Sequence, residues 1–227
     1  MLPTVAKKVV LRVFPALSRF MGYWKRHLPY DVPLWERFYG AAEDPYALST
    51  GVGEDRKYAF TLALCGDGPF RKALEIGCSI GLFTVMLAPR CAELLAADIS
   101  QVAIDRARIR AADFQQVTFQ RLSMPLEWPC GPFDLIVCSD VLYYWPEQDL
   151  RRALPTIANL LAPAGRFVVL HWLGKLFYAS NGTLVHDILR ASMPLLHVEG
   201  GEQDFRQDGS SPWRYDVFEK KRHGFTA

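Results

Sequence analysis

The run Arg71-Lys72-Ala73-Leu74-Glu75-Ile76-Gly77-Cys78-Ser79-Ile80-Gly81-Leu82-Phe83-Thr84 constrains this chain most. It reads as a buried strand that delivers a carboxylate and two glycines into a helix, the arrangement by which an open α/β sheet holds a nucleoside ligand. Gly77 permits a sharp turn and a close ligand approach, and Gly81 permits close packing of helix on strand. A dinucleotide fingerprint needs a third glycine to seat a pyrophosphate on the helix N-terminus. Here Ser79 and Ile80 occupy that stretch, beside Cys78, so the loop argues against a pyrophosphate. Glu75, two residues before the first glycine, suits a cationic group of the ligand instead.

A second apolar run, Glu93-Leu94-Leu95-Ala96-Ala97-Asp98-Ile99-Ser100, ends in an acid about twenty residues after the loop, where a ribose-binding carboxylate belongs. Asp98 can accept hydrogen bonds from two ribose hydroxyls, Ile99 can cover an adenine face, and Ser100 can cap the helix opened by Gln101. Asp98 alone also reads as an ordinary acid at a helix entry, and the pairing with the glycine loop is what raises the ligand reading above it. Together the two motifs fit S-adenosylmethionine, whose ammonium and sulfonium are cationic.

At 227 residues, with 50% hydrophobic and 22% charged residues, the chain can bury one sizeable core with accessories. The five cysteines show no C-x-x-C spacing, so neither a disulfide framework nor a zinc site is indicated, and a reducing cytoplasm fits. Cys78 reads as a small packing residue in the loop, because no activating base is assignable to it. The formal net charge of +2 hides an asymmetry. Lys7, Lys8, Arg12, Arg19, Lys25 and Arg26 fall in the first 30 residues with no acid, leaving the remainder at −4. Residues 1–40 are expected to form a basic amphipathic N-terminal extension and residues 41–227 the catalytic domain. Within 5–28 the cations interleave with apolar residues around Pro15, which leaves three readings: a helix lying on the domain, a peripheral contact with an anionic membrane, or a disordered tail. The stretch is too charged to span a bilayer.

The remainder alternates strands and helices. Strands are expected at Ala73–Ile76, up to Asp98, Val117–Gln120, Phe133–Cys138, Arg166–Leu170, Leu195–Val198 and Tyr215–Glu219. Helices are expected around Tyr58–Leu64, from Leu82, from Gln101 to about Ala112, over Glu147–Leu161 and over Gly182–Met193. The fold class is therefore α/β, Rossmann-like: a mostly parallel seven-stranded sheet with helices on both faces, plus a helical N-terminal extension. In such a sheet ligands gather at the carboxyl ends of the strands, which directs attention to Ser123 and Met124, to Ser139-Asp140-Val141-Leu142-Tyr143-Tyr144-Trp145, and to His171-Trp172. Asp140 can orient or deprotonate an acceptor, His171 can act as a base near neutral pH, and Tyr143 or Trp172 can stack on the acceptor. Each has a duller counterpart: Asp140 as a turn cap, the tyrosines as packing, His171 as a hydrogen-bonded structural residue.

With these residues in view, the chain resembles class I S-adenosylmethionine-dependent methyltransferases, and among them the nodulation protein S type of N-methyltransferase. The resemblance runs from about Asp44 to Lys220 and rests most on Ala73 to Gly81, on Phe133 to Tyr144, and on His171-Trp172 with Val185-His186-Asp187. Tyr46, Gly53, Ser123 and Asp140 depart from the family pattern. The resemblance implies S-adenosylmethionine as cofactor and the amine of an amino sugar or oligosaccharide as acceptor. The expected cofactor residues are Glu75, Gly77, Cys78, Ser79, Gly81, Asp98, Ile99, Ser123, Met124 and Ser139, and the expected catalytic residues are Asp140, His171 and Tyr143. No metal is expected. An O-methyltransferase of a hydroxylated or phenolic metabolite and a noncatalytic cofactor-binding protein share the same cofactor site. A nicotinamide dehydrogenase is disfavoured by the interrupted glycine pattern, and no basic stripe suggests nucleic acid.

Overall fold

A computed structural model describes residues 30–174, 180–204 and 212–222. Seven strands, β1 (Ala73–Ile76), β2 (Leu94–Asp98), β3 (Val117–Arg121), β4 (Phe133–Ser139), β5 (Leu161–Trp172), β6 (Leu196–Gln203) and β7 (Trp213–Glu219), form one sheet in the order β3-β2-β1-β4-β5-β7-β6. The first five in that order pair in parallel, and β7 runs antiparallel to both its neighbours. From β1 the chain winds outward through β2 to β3, then returns to β4 on the other side of β1. That reversal opens a crevice above the carboxyl ends of β1 and β4, which lie side by side with Ile76 paired to Cys138.

The strands are apolar on both faces because helices cover both. Leu74, Ile76, Ile136, Cys138, Phe167 and Val169 pack in one core with residues of α1 (Val32–Gly40), α5 (Glu147–Leu160) and α6 (Gly182–Ser192). Their alternate neighbours Ala73, Leu135, Val137, Val168 and Leu170 pack in a second core with α2 (Glu54–Cys65) and α3 (Leu82–Leu87). This is the near-continuous hydrophobic reading expected of buried parallel strands. Helix α4 (Gln101–Arg110) starts where Ser100 Oγ accepts the Ala103 N–H, as the sequence suggests.

Several boundaries differ from expectation, two of them for reasons visible in the sheet. Strand β5 begins at Leu161, before the Pro163-Ala164-Gly165 turn, because Leu161 already pairs with Phe133 across an irregularity in the register. Strand β6 extends to Gln203, where Gly200 leaves room for the Asp216 carboxylate of β7. A Cβ there would stand 2.0 Å from Asp216 Oδ1.

Helix α1 falls within residues 1–40, for which a helical extension is expected, and it packs into the main core of the domain. Asp31 caps it by accepting the Leu34 N–H at 3.0 Å, with a proline in its first turn. Leu34, Trp35 and Phe38 then enter the main core. Glu36 docks the helix on the start of α4, its carboxylate accepting the Ser100 hydroxyl and the Gln101 and Val102 N–H groups at 2.9, 2.7 and 3.1 Å. Arg106 of α4 donates to the carbonyls of Tyr39, Ala42 and Glu43, holding the segment after α1 in place. The three readings of residues 5–28 lie outside the described residues. Among the described residues no helix is long and apolar enough to cross a membrane.

Candidate active site

A cavity of about 540 Å³ opens at the β1/β4 reversal and reaches from the glycine loop to the aromatic residues after β4 and β5. The loop is fixed by its own backbone. The Gly77 and Cys78 N–H groups donate to the Ala97 carbonyl, and Gly77 takes φ 78° with Val141 where a side chain would sit. Gly81, at φ 83°, lets α3 approach α4: a Cβ there would lie 2.9 Å from the Ala107 backbone.

Asp98 stands at the end of β2 with Oδ2 accepting the Ser79 N–H at 2.9 Å and Oδ1 accepting the Ser100 N–H at 3.0 Å. A carboxylate has about four lone-pair sites, so capacity remains for a ligand hydroxyl. Burial raises its pKa to about 6 against the pull of those N–H donors. Burial likewise raises Glu75 to about 7, although the Thr84 hydroxyl donates to its Oε2 at 2.6 Å. Burial pushes the Cys78 thiol well above its ordinary value, which keeps it protonated and suits a packing role.

On the acceptor side the Lys57 ammonium lies 2.8 Å from Asp140 Oδ2 and 2.7 Å from Glu54 Oε2. Asp140 Oδ1 accepts the Trp172 N–H at 2.7 Å. Burial works against ionisation of Asp140, yet the adjacent ammonium holds its carboxyl below the usual carboxylate range. Both its oxygens are therefore committed, and it is a poor proton acceptor at neutral pH. Glu54 has the opposite balance, with burial outweighing Lys57 and raising its pKa. Aromatic side chains wall this end: Tyr58, Tyr143, Tyr144, Trp172 and Trp213 from the domain, Trp35, Tyr39 and Tyr46 from the entry segment. Tyr39 donates its hydroxyl to Ser79 Oγ, and the Tyr46 and Tyr144 hydroxyls share a hydrogen bond, each 2.9 Å long.

Of the expected site residues, Glu75, Gly77, Cys78, Ser79, Asp98, Ile99, Met124, Ser139, Asp140 and Tyr143 line the cavity. Gly81, Ser123 and His171 do not. Gly81 works through helix packing, and Ser123 turns its N–H to Glu127 while Met124 lines the cavity beside it. His171 as a general base needs correction. It is fully buried, its Nε2 accepts the Leu142 N–H at 3.0 Å, and its Nδ1 faces His186 Nε2 at 3.2 Å. His186 Nδ1 in turn lies 2.6 Å from Asp216 Oδ2. With Nε2 accepting, Nδ1 carries the proton and donates to His186, which donates to Asp216. Burial holds His171 well below the ordinary histidine pKa, so it is a neutral strut beneath the turn after β4. Glu54 and Lys57 are not among the expected site residues, although the resemblance places both beside the departing Gly53. Their local signal, an acid and a lysine three apart at a helix start, is common on solvated helices. Among the described residues no cluster of side chains could hold a metal.

The strand order, the glycine turn with an acid after β2, and the crevice at the strand reversal define a protein of the class I methyltransferase fold. The family model for nodulation protein S (NodS) matches residues 34–171. The chain belongs to the nodulation protein S family. Nodulation protein S of Bradyrhizobium diazoefficiens is 35% identical over 125 residues, covering 54% of this chain, and this chain spans 60% of that protein's length. The crystal structure of N-methyltransferase NodS from Bradyrhizobium japonicum WM9 superposes with a TM-score of 0.65 at 26% identity, covering 74% of this chain and 97% of that one. Its complex with S-adenosyl-L-homocysteine gives 0.70 at 24% identity, covering 92% and 98%, which extends the likeness in fold.

Proposed function

We propose that this protein is an S-adenosylmethionine-dependent N-methyltransferase whose acceptor is the amine of an amino sugar, an oligosaccharide or a related compound. The observation that carries the reading is the charge of the cavity. Glu54, Glu75, Asp98 and Asp140 line it against Lys57, an excess of acid that suits a cationic cofactor at one end and an ammonium-bearing acceptor at the other. The relatives named as N-methyltransferases support it.

The residues present fit the cofactor. Gly77, with no side chain, lets the loop turn tightly against Val141, Asp98 retains acceptor capacity for a ribose, Ile99 and Met124 offer apolar cover, and Glu75 offers negative charge under the loop. When bound, the cofactor supplies an electrophilic methyl group on a sulfonium. The protein's part is then to hold the acceptor nitrogen in line with that methyl and to exclude water, an orientation effect worth about 7–11 kcal/mol at best. The entry segment supplies exclusion, because Trp35, Tyr39 and Tyr46 close one side of the cavity. Trp172 and Tyr143 offer flat faces to a sugar ring.

The test is calorimetric titration with S-adenosyl-L-homocysteine and with NAD, followed by mass analysis of a glucosamine tetramer incubated with S-adenosylmethionine. Homocysteine-nucleoside binding that is lost in Asp98→Ala, together with a mass increase of one methyl on nitrogen, supports the reading. Methyl on oxygen makes the protein an O-methyltransferase, and binding without turnover of any acceptor makes it a cofactor-binding partner. Placement in the cytoplasm rests on the cysteine pattern, and a peripheral membrane contact rests on the six cations of the first 30 residues. Sedimentation with phosphatidylserine vesicles, with and without residues 1–29, tests that contact.

A further inference from the structure

Four carboxylates line the cavity, and three accept N–H or hydroxyl hydrogen bonds from the fold. Asp98 takes two backbone N–H groups. Asp140 takes the Trp172 N–H on one oxygen and the Lys57 ammonium on the other. Glu75 takes the Thr84 hydroxyl at the end of β1, under the glycine loop. Glu54 differs from all of them. It opens α2 at the acceptor end, lines the cavity, and meets the Lys57 ammonium at 2.7 Å through Oε2, with no backbone N–H or hydroxyl among the described residues donating to it.

We propose that Glu54 is the catalytic base, binding the acceptor's ammonium and taking its proton, while Lys57 and Asp140 form the fixed ion pair that positions it. The proposal rests on the amine-acceptor reading above and names the residue that reading leaves open. In the step, an N–H bond of the ammonium breaks and its proton goes to the Glu54 carboxylate. The freed lone pair forms the carbon–nitrogen bond as the methyl–sulfur bond breaks, with the electron pair going to sulfur. The product leaves as an N-methylammonium, and Glu54 returns its proton to solvent.

The charge balance around Glu54 favours this role. The groups that face it are Lys57, Asp140 and Asp44, and of these Asp140 already offsets the lysine. Asp44 is engaged in capping Leu48 and Ser49. Burial therefore dominates and makes Glu54 more basic than an exposed glutamate. Asp140, with both oxygens engaged and the ammonium against it, is held in the opposite sense.

The experiment compares wild type, Glu54→Gln and Glu54→Asp in two measurements. The first is calorimetric binding of a glucosamine tetramer, and of its fully N-acetylated counterpart, to the protein saturated with S-adenosyl-L-homocysteine. Wild type is expected to prefer the free amine at least tenfold, Glu54→Gln to lose that preference while binding the nucleoside as wild type does, and Glu54→Asp to restore part of it. The second is single-turnover methyl transfer, expected to fall at least 100-fold in Glu54→Gln and to recover in part in Glu54→Asp. An active wild type with an undiminished Glu54→Gln overturns the assignment of Glu54 alone. A loss of nucleoside binding in Glu54→Gln overturns it too, by placing the residue in the cofactor site. A wild type that binds the nucleoside but neither prefers nor methylates the amine overturns the amine reading and the base with it.

Discussion

Lys57 and Asp140 stand 83 positions apart and meet at 2.8 Å in the interior. A buried pair of this kind is a weak source of net stability, but removing one partner strands the other charge at a cost of about 3–5 kcal/mol. Lys57→Met is therefore expected to lower the unfolding free energy by about 3 kcal/mol in urea denaturation, more than the loss of an exposed surface lysine would. Asp98→Ala leaves the Ser79 and Ser100 N–H groups without their acceptor, and under the proposed function it also removes the ribose partner. Calorimetry is expected to show at least tenfold weaker binding of S-adenosyl-L-homocysteine. Asp98 could be picked out of the sequence because its meaning depends on spacing from a local motif. Lys57 could not, because its meaning depends on a residue contributed by another strand. His171 shows the same limit: its type and strand-end position suggest a base, but burial and the bond from Leu142 make it a support.

At the scale of elements, α1 and the glycine turn show how local rules meet tertiary ones. The Asp31 cap and the proline in the first turn are legible in the sequence once a helix is suspected. What the helix packs on is not legible, because Glu36 reads as a surface acid until it is found accepting three hydrogen bonds at the start of α4. Glu36→Ala is expected to cost about 1–2 kcal/mol, in the range of a lost helix cap. Limited proteolysis should then cut the segment around Ala41–Thr50 faster than in wild type, while β1 to β5 stay protected. Gly77→Ala tests the turn. With φ at 78° and Val141 Cγ2 2.2 Å from the added Cβ, the loop must shift, so nucleoside affinity is expected to fall while the sheet survives.

Across the whole molecule, two sets of buried groups titrate in opposite senses. Glu75 and Asp98 bind protons more tightly when folded, up to about pH 7 and 6, so the stability they contribute is full below about pH 4 and is lost as pH rises through those values. His171 and His186 are held below the ordinary histidine value, so the stability they contribute is present above about pH 6.5 and is lost as pH falls. The two partly cancel in the free protein. A cationic cofactor removes the penalty on the ionised carboxylates, leaving the histidine slope. S-adenosylmethionine is expected to bind more tightly at pH 8 than at pH 5.5. Between those values the melting temperature of the loaded protein should vary with pH more steeply than that of the free one.

The sheet was readable because parallel strands covered on both faces must be apolar throughout, and the meeting of the glycine turn with Asp98 was readable because both stand at a fixed spacing in the chain. Those features the sequence determined by itself. Which groups hold the carboxylates beside β4 was decided only by tertiary structure. The Lys57 ammonium of α2 and the Trp172 N–H of β5 hold Asp140, while Glu54 shares that same ammonium. The chain's local order carries no trace of those partners, because they come together only when the sheet has closed.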